Sequence, residues 1–288
     1  MIRSSKSLPR YGNISSERPA AYGDLPVSSE KNLDKKLDRF DQRLEEMGVR
    51  IKDTNDLKVR EDVFDDVTLL ALYKLVHKKW FSVLGGSIST GKEANVFYAE
   101  RDGVGVAIKI YRIRTANFTT MSSYIAGDRR FSHVKKAKKE LIFAWTKKEF
   151  SNLVRARDAG IAVPEPLVWD RNILIMSFLG DGEIPYPQLR NVELEDPAGT
   201  YAQILGTIDT LYKKAELVHA DLSEFNILYS DKPYLIDMGQ SVTRDHPRAL
   251  PFLMRDIRNV NRFFKNRCDI RNDVEIFNAV TGLDTAEP

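Results

Sequence analysis

The sequence predicts an α+β protein with two lobes, the first built from antiparallel strands and one helix and the second mainly helical. Three observations support this. Strand patterns separated by turn residues dominate before about residue 179, helical patterns dominate after it, and residues 179–187 between them are rich in Gly and Pro. The chain has 288 residues, 42% of them hydrophobic, and can bury a sizeable core. No apolar run approaches the roughly 18 residues that a membrane span requires.

We divide the chain into four parts. Residues 1–62 are predicted as a mobile or partly helical extension, 63–178 as the first lobe with a preceding helix, 179–267 as the compact second lobe, and 268–288 as a C-terminal tail. The extension permits one amphipathic helix, on apolar residues at helical spacing: Leu33, Leu37, Phe40 and Leu44.

The first lobe begins with a helix predicted over residues 63–79, and Gly85-Gly86 should interrupt regular structure after it. A hairpin is then predicted, with strands at 95–99 and 105–111 and a turn at 101–103. Side chains alternate along a strand, so Ala107 and Lys109 should share one face of the second strand and its branched apolar residues the other.

A polar loop is predicted over residues 115–130. The next helix should be capped by Ser132 and ended by Gly160. Strands at 167–169 and 173–178 complete the first lobe.

Composition places the chain in a reducing compartment, and the predicted location is the cytoplasm. There is one cysteine, Cys268, so no internal disulfide can form, and the four histidines have no metal-ligand spacing. The net charge is only +3, but residues 101–150 carry 12 basic against four acidic side chains. A phosphate-rich partner is therefore plausible there, although such lysines are more often the solvated face of a helix.

The most specific segment is 219–239. Two short apolar runs, 227–229 and 234–236, flank four turn-type residues and predict a hairpin. In this hairpin the residue numbers of each cross-strand pair should add up to 463, which places Asn226 opposite Asp237. An amide oxygen beside a carboxylate suits Mg²⁺, for which Mn²⁺ could substitute.

Asp221 lies five residues before Asn226 and should orient a hydroxyl group or accept its proton. His219 is predicted as a structural hydrogen-bonding group beneath the loop rather than as a general base, because Asp221 holds the position that faces the substrate. The spacing of these residues resembles the protein-kinase catalytic loop H-x-D-L-x-x-x-N followed by D-x-G.

The upstream half of that resemblance is also present. Residues 89–96 fall on the register of the kinase glycine-rich loop, with Ser89 and Ala94 in place of the outer glycines. Lys109 follows in Val-Ala-Ile-Lys, and Glu149, an acid on an apolar helical stripe, is its predicted ion-pair partner. Each residue alone has a structural explanation, but five elements in kinase order make coincidence improbable.

A second nucleotide-binding pattern is disfavoured. Gly86, Gly91 and Lys92 match a Walker A loop, but Glu93 stands where a Ser or Thr should bind Mg²⁺. A strand, not a helix, is also predicted to come after it.

The strings Ser-Thr-Gly-Lys-Glu-Ala-Asn-Val-Phe, His-Ala-Asp-Leu-Ser-Glu-Phe-Asn-Ile-Leu and Ile-Asp-Met-Gly-Gln-Ser-Val resemble the first branch of the RIO family of atypical kinases, over about residues 63–267. The resemblance implies a two-lobed kinase fold with an additional N-terminal helical element, ATP and Mg²⁺ as cofactors, serine autophosphorylation, and a role in maturation of the small ribosomal subunit. It implies partners in a pre-ribosomal particle, protein and ribosomal RNA among them.

The resemblance also implies site residues. Asp221, Lys109 and Asp237 would be catalytic, and Asn226 and Asp237 would hold the metal. Met176 would be the gatekeeper, and the Ser177 carbonyl and the Leu179 amide would form hydrogen bonds with adenine. The nucleotide site would comprise Ser89, Thr90, Gly91, Lys92, Glu93, Val96, Ala107, Lys109, Glu149, Met176, Ser177 and Leu179.

Two features depart from ordinary protein kinases. Ala220 replaces the arginine of H-R-D, so switching by a phosphorylated activation loop is doubtful, and no Ala-Pro-Glu follows Gly239. Ser122 and Ser123 are candidate autophosphorylation sites.

Two other functions use the same residues. In one, Asp237 itself accepts the phosphoryl group, and the protein is an ATPase switch that times release from the pre-ribosome. In the other, the protein is an assembly factor that grips ribosomal RNA through Lys135, Lys136, Lys138 and Lys139, and the nucleotide is structural.

Overall fold

The computed structural model describes residues 50–51, 65–113, 116, 118–131, 134 and 137–284. The amphipathic pattern around residues 33–44 and the predicted cap at Ser132 lie outside these residues.

The first lobe is one twisted sheet with helices around it. Its strands are β1 (Arg50–Ile51), β2 (Val83–Thr90), β3 (Ala94–Arg101), β4 (Val104–Tyr111), β5 (Pro166–Asp170) and β6 (Ile173–Ser177), and its helices are α1 (Asp66–His77), α2 (Phe118–Ala126) and α3 (Lys138–Asp158). The strand order is β1-β2-β3-β4-β6-β5; β1 runs parallel to β2, and all other neighbours are antiparallel.

The second lobe is mainly helical. It contains α4 (Pro197–Lys213), α5 (Ala249–Phe264) and α6 (Asp273–Thr281), with short strands β7 (Gly180–Asp181), β8 (Ile184–Pro185), β9 (Leu217–Val218), β10 (Ile227–Tyr229), β11 (Pro233–Leu235) and β12 (Val242–Thr243). This arrangement confirms the predicted two-lobed α+β class. Within the segment predicted as a tail, α6 buries Ile276, Phe277 and Val280 and contacts α4 and α5.

Helix α1 is shorter than predicted at both ends. The Asp65 side chain accepts a hydrogen bond from the Thr68 amide at 2.9 Å and caps the first turn. Lys79 adopts a left-handed conformation with φ of 56°, which ends the helix. Leu72 and Leu75 are buried against the sheet and fix this helix to the first lobe.

Strand β2 is absent from the sequence prediction, because Gly85-Gly86 reads as a stop signal. In the structure both glycines lie inside β2. A Cβ atom on Gly85 would lie 2.9 Å from the Tyr98 ring on the neighbouring strand, so glycine is needed there for close packing between the strands.

The hairpin β3–β4 confirms the predicted strands and extends them. Asp102 and Gly103 both have positive φ, as a two-residue type I′ turn requires. The predicted faces are also confirmed: Ile108 packs into the core under α1, whereas Ala107 and Lys109 face the space between the lobes.

The polar loop predicted at 115–130 is wrong, because helix α2 occupies most of it, followed by a 3-10 turn at Arg129–Phe131. Met121, Tyr124 and Ile125 recur at helical spacing and are buried. The Tyr124 ring stacks on Phe252 with centroids 5.2 Å apart, which ties α2 to the second lobe.

Helix α3 ends as predicted but begins later. Its first residue is Lys138, preceded by Ala137, and it ends just before Gly160, whose φ is 85°. Leu141, Trp145 and Leu153 are buried in the larger core, so α3 belongs to the packing of both lobes.

The hairpin β10–β11 forms, but the predicted register is wrong by one residue. Pro233 pairs with Tyr229, so the loop holds three residues rather than four and the pairing sum is 462. Pro233 is buried at the first position of its strand, where a missing amide hydrogen is tolerated. The Ile236 amide donates to the Asn226 carbonyl at 3.0 Å, so Ile236, not Asp237, lies opposite Asn226.

We predict that Met121→Ala lowers the free energy of unfolding by about 2–5 kcal/mol, because it leaves a cavity under α2. Ser122→Ala, on the exposed face of the same helix, should change it by no more than about 0.5 kcal/mol. Urea denaturation of both variants checks this. Equal effects would mean that α2 does not pack as described.

Candidate active site

A cleft of about 520 Å³ separates the sheet from the second lobe. All the predicted site residues line it except Thr90, which is exposed at the end of β2, and Asn226. Those that do are Ser89, Gly91, Lys92, Glu93, Val96, Ala107, Lys109, Glu149, Met176, Ser177, Leu179, Asp221 and Asp237. The cleft therefore brings together residues that lie up to 148 positions apart in the chain (237 minus 89).

One end of the cleft is apolar. Ala107 on β4 pairs with Met176 on β6, and both face the space that Leu228 and Ile236 close from the second lobe. A flat aromatic ring system could pack between these two surfaces.

The turn between β2 and β3 also lines the cleft, through Gly91, Lys92 and Glu93. The Gly91 amide donates to the Ala94 carbonyl at 2.9 Å, which makes the turn tight. Because the turn leads from one strand to another, it differs from a Walker A loop, which opens a helix.

Lys109 is held between two carboxylates from different parts of the chain. Its Nζ lies 2.8 Å from Glu149 Oε1 and 2.5 Å from Asp237 Oδ1, and the residue is only 6% exposed. Burial alone would lower the pKa of Lys109, but the charges of Asp237 and Glu149 outweigh it and hold that pKa well above the usual lysine value. The predicted Lys109–Glu149 ion pair is confirmed.

Glu149 has a second partner that the sequence did not indicate. The Tyr111 hydroxyl donates a hydrogen bond to Glu149 Oε2. Burial and the nearby Glu149 charge raise the pKa of Tyr111 well above its usual value, so it stays protonated and remains a donor. Both oxygens of the buried Glu149 carboxylate are thus satisfied, which fixes the direction of the Lys109 ammonium.

Asp237 follows β11 in a left-handed conformation with φ of 60°. Its side chain is 49% exposed, toward the cleft. The Lys109 charge lowers the pKa of Asp237 despite burial of its surroundings, so the carboxylate is ionised at neutral pH.

Asp221 is held by two amide side chains. Asn226 Nδ2 and Gln240 Nε2 each donate to Asp221 Oδ2 at 3.1 Å, and the sequence did not indicate Gln240. Burial raises the pKa of Asp221, opposed by the hydrogen bond from Asn226. A carboxylate oriented in this way at the edge of the cleft can accept a proton from a bound hydroxyl group.

The Asp221 loop is anchored from below by Asp256 on α5, another residue that sequence reasoning missed. The Asp256 carboxylate accepts hydrogen bonds from the Ala220 amide at 2.7 Å and the Leu222 amide at 2.9 Å. It is an acid on an apolar helical stripe, the same signal that identified Glu149. Burial raises its pKa to about 7.

His219 also serves the loop structurally. Its Nε2 lies 3.1 Å from the Ile236 carbonyl, and burial lowers its pKa to about 4. The ring is therefore neutral at pH 7 and donates through Nε2, as expected of a hydrogen-bonding group rather than a general base.

The lysines in the basic part of the sequence, residues 101–150, differ in solvent exposure. Lys138, Lys139 and Lys147 are exposed, and Lys135 and Lys136 lie outside the described residues. Lys148, by contrast, is fully buried, and its Nζ donates to the Gly239 carbonyl at 2.8 Å and to the Ser241 carbonyl. Burial lowers its pKa to about 7.

The donor set fits a hard divalent cation that keeps most of its coordination for water and phosphate. Asp237 offers an ionised carboxylate on the cleft, and Asn226 uses Nδ2 to bind Asp221, so its Oδ1 is the atom that would bind a metal. No group of three His, Cys, Asp or Glu side chains in the described part of the chain could hold a metal by itself.

Across the described residues, every helix is too short or too polar to cross a membrane.

The fold and the cleft define the class of protein. A sheet lobe with a lysine–glutamate ion pair, joined to a helical lobe carrying Asp221, Asn226 and Asp237, is the architecture of a protein kinase. A solved structure with this architecture is the Rio2 kinase from Chaetomium thermophilum in an ADP/Mg²⁺-phosphoaspartate complex. The similarity has a TM-score of 0.59 at 27% identity, over 77% of this chain and 68% of that one.

The family model for the RIO domain matches residues 95–276. The RIO-type serine/threonine-protein kinase Rio1 of Haloferax volcanii is 40% identical over 94% of this chain and 95% of its own length. The human serine/threonine-protein kinase RIO1 is 38% identical over 88% of this chain, which spans 44% of that longer protein. The chain therefore belongs to the RIO family of atypical serine kinases, and to its Rio1 type.

We predict that Lys148 gives the free energy of unfolding a distinctive pH dependence. Its pKa is about 7 in the folded protein and about 10.5 in the unfolded chain, so between these values the unfolded chain binds more protons. Stability should therefore rise with pH across this range, by up to about 1.4 kcal/mol per pH unit from this group. Urea denaturation between pH 7 and 10 measures the slope, and Lys148→Met should remove this component. Parallel curves for the two proteins would contradict the assignment.

Proposed function

We propose that the protein is an ATP- and Mg²⁺-dependent serine kinase that transfers the γ-phosphoryl group of ATP to a serine hydroxyl. The observation that carries this proposal is the placement of Lys109 between Glu149 and Asp237 in one cleft, with Asp221 at its edge. Phosphoryl transfer requires chiefly positioning and charge stabilisation, and these residues supply both.

Nucleotide binding would use both ends of the cleft. Adenine would lie between Ala107 and Met176 on one side and Leu228 on the other, with the hinge backbone at 177–179 beside it. The phosphates would extend toward Lys109 under the turn at 91–93. When bound, Mg²⁺ on Asn226 and Asp237 would neutralise phosphate charge.

Transfer itself would depend on Asp221. Asn226 and Gln240 hold its carboxylate toward the cleft, where it would accept the proton of the attacking hydroxyl. A bond then forms between the serine oxygen and the γ-phosphorus while the bond to the bridging oxygen breaks, and ADP leaves. Ser122 and Ser123 are proposed acceptors for autophosphorylation because both are exposed on α2.

The proposed setting is the cytoplasm, on a small-subunit pre-ribosomal particle. The resemblance to the RIO family supports this part of the proposal. The exposed Lys138 and Lys139 are available for contact with ribosomal RNA, whereas Lys148 is not.

An ATPase cycle through Asp237 is a second candidate, favoured by the phosphoaspartate in the related Rio2 complex. Here an Asp237 oxygen would attack the γ-phosphorus, ADP would leave, and water would later hydrolyse the acyl phosphate. Asp237 is half exposed to the cleft, and so is accessible for this reaction.

We predict that Asp237→Ala lowers turnover of ATP by at least about a hundredfold, since it removes the ionised metal ligand and one partner of Lys109. Lys109→Ala should lose most activity as well, whereas Lys147→Ala, on the exposed face of α3, should match the unaltered protein. Release of ADP and transfer of labelled phosphate measure this. Full turnover by the Asp237→Ala protein would refute the proposed site.

The two candidate reactions leave different phosphorylated products. Serine transfer should yield a label that is stable to acid and to hydroxylamine, whereas phosphorylation of Asp237 should yield an acyl phosphate that hydroxylamine removes. We expect stable label as the main product after incubation with labelled ATP. Label that is entirely hydroxylamine-sensitive would instead identify the ATPase cycle.

A further inference from the structure

The loop that follows Asp237 lies on one face of helix α3. Lys148 Nζ donates to the carbonyls of Gly239 and Ser241, and Asn152 Nδ2 donates to the carbonyls of Met238 at 2.8 Å and Ser241 at 2.9 Å. Lys148 and Asn152 are four residues apart, so they lie on the same face of α3 one turn from each other. Both are fully buried.

These contacts compensate for an irregular backbone. Residues 238–241 form a turn between β11 and β12, so their buried carbonyls need donors from elsewhere. Two side chains on α3 satisfy three of these carbonyls. The turn also lies close to the helix: a Cβ atom on Gly239 would be 2.8 Å from Trp145 Nε1.

Filling the space alone would not require a lysine. An apolar side chain of similar length would fill it without the cost of burying an amine, but it would leave the Gly239 carbonyl without the donor that Lys148 supplies. The amine adds direction, because it fixes the carbonyls of Gly239 and Ser241 at defined positions relative to α3. The neighbouring residue, Glu149, fixes Lys109 from the same helix.

We propose that Lys148 and Asn152 are positioning residues, which hold the 238–241 turn on α3 so that the Asp237 carboxylate faces the cleft in the orientation that binds Mg²⁺. Helix α3 thereby sets the positions of both Lys109 and Asp237. The turn is thus held without the arginine that Ala220 replaces in the H-R-D motif, and without a phosphorylated activation loop. The inference rests on the proposed function of Asp237 as a metal ligand.

Lys148→Met tests the proposal, with Lys147→Met as the matched control on the exposed face of the helix. In the nucleotide-free protein, hydrogen–deuterium exchange of amides 238–241 should become at least about tenfold faster in Lys148→Met and stay unchanged in Lys147→Met. By calorimetry, Lys148→Met should weaken ADP binding in the presence of Mg²⁺ by about tenfold or more, the usual effect of removing a group that orients a metal ligand. ADP affinity without Mg²⁺ should change by less than about twofold.

A structural role alone predicts other results. Equal weakening of ADP binding with and without Mg²⁺, or exchange and binding identical to those of Lys147→Met, would overturn the proposal. If Lys148→Met does not fold, Asn152→Ala is measured instead, because it removes the donor to the carbonyls of Met238 and Ser241. The same changes in exchange and in ADP binding are expected of it, and the same results would overturn the proposal.

Failure of the proposed function is distinguishable from failure of this inference. If the unaltered protein binds ADP no better with Mg²⁺ than without, Asp237 is not a metal ligand. The proposal that Lys148 and Asn152 orient Asp237 for Mg²⁺ is then refuted as well. If Mg²⁺ does strengthen binding but Lys148→Met equals its control, only the role of Lys148 is refuted.

Discussion

The burial of one ammonium group between two carboxylates organises this protein. Lys109 comes from β4, Glu149 from α3, and Asp237 from the turn after β11, so a single charged cluster joins both lobes. A lysine buried to this extent needs close, well-oriented partners. Glu149 is oriented by Tyr111 and Asp237 by its backbone conformation, so the cluster constrains the cleft from two sides.

The second lobe fixes its part of the site mainly through backbone contacts. Asp256 accepts from the amides of Ala220 and Leu222, and His219 donates to the Ile236 carbonyl. The loop that carries Asp221 and the residue before Asp237 are thus supported by buried groups that do not line the cleft, in addition to the cleft residues Gln240 and Lys109, which contact the two carboxylates directly. We regard this separation as the reason that a strongly charged site is compatible with a stable fold.

Much of this architecture was predictable from sequence where the signal is local. The pleat of β4 placed Lys109 correctly, and an acid on the apolar stripe of α3 identified Glu149 as its partner. Non-local packing was not predictable: Gly85 reads as a stop signal unless Tyr98 is known to lie against it. The register beside Asn226 failed by one residue because Pro233 joined the strand rather than the loop.

Adjacent charged residues of one helix can differ completely in burial. Lys147 and Lys148 are adjacent and indistinguishable by composition, yet one is exposed and the other is buried under the 238–241 turn. Helical spacing separates them, since Lys148 lies three residues after Trp145 and seven after Leu141, on the buried face of α3, whereas its partners in the turn follow only from the fold. Asp256 lies in the same way on the buried stripe of α5.

A double-mutant cycle between Lys109→Met and Asp237→Asn, measured by urea denaturation of the nucleotide-free protein, shows whether one charged cluster joins the lobes. If it does, the two substitutions should be non-additive, with a coupling free energy of at least about 0.5 kcal/mol even though Asp237 is half exposed. Additivity within about 0.3 kcal/mol would mean that the lobes are held together without this cluster.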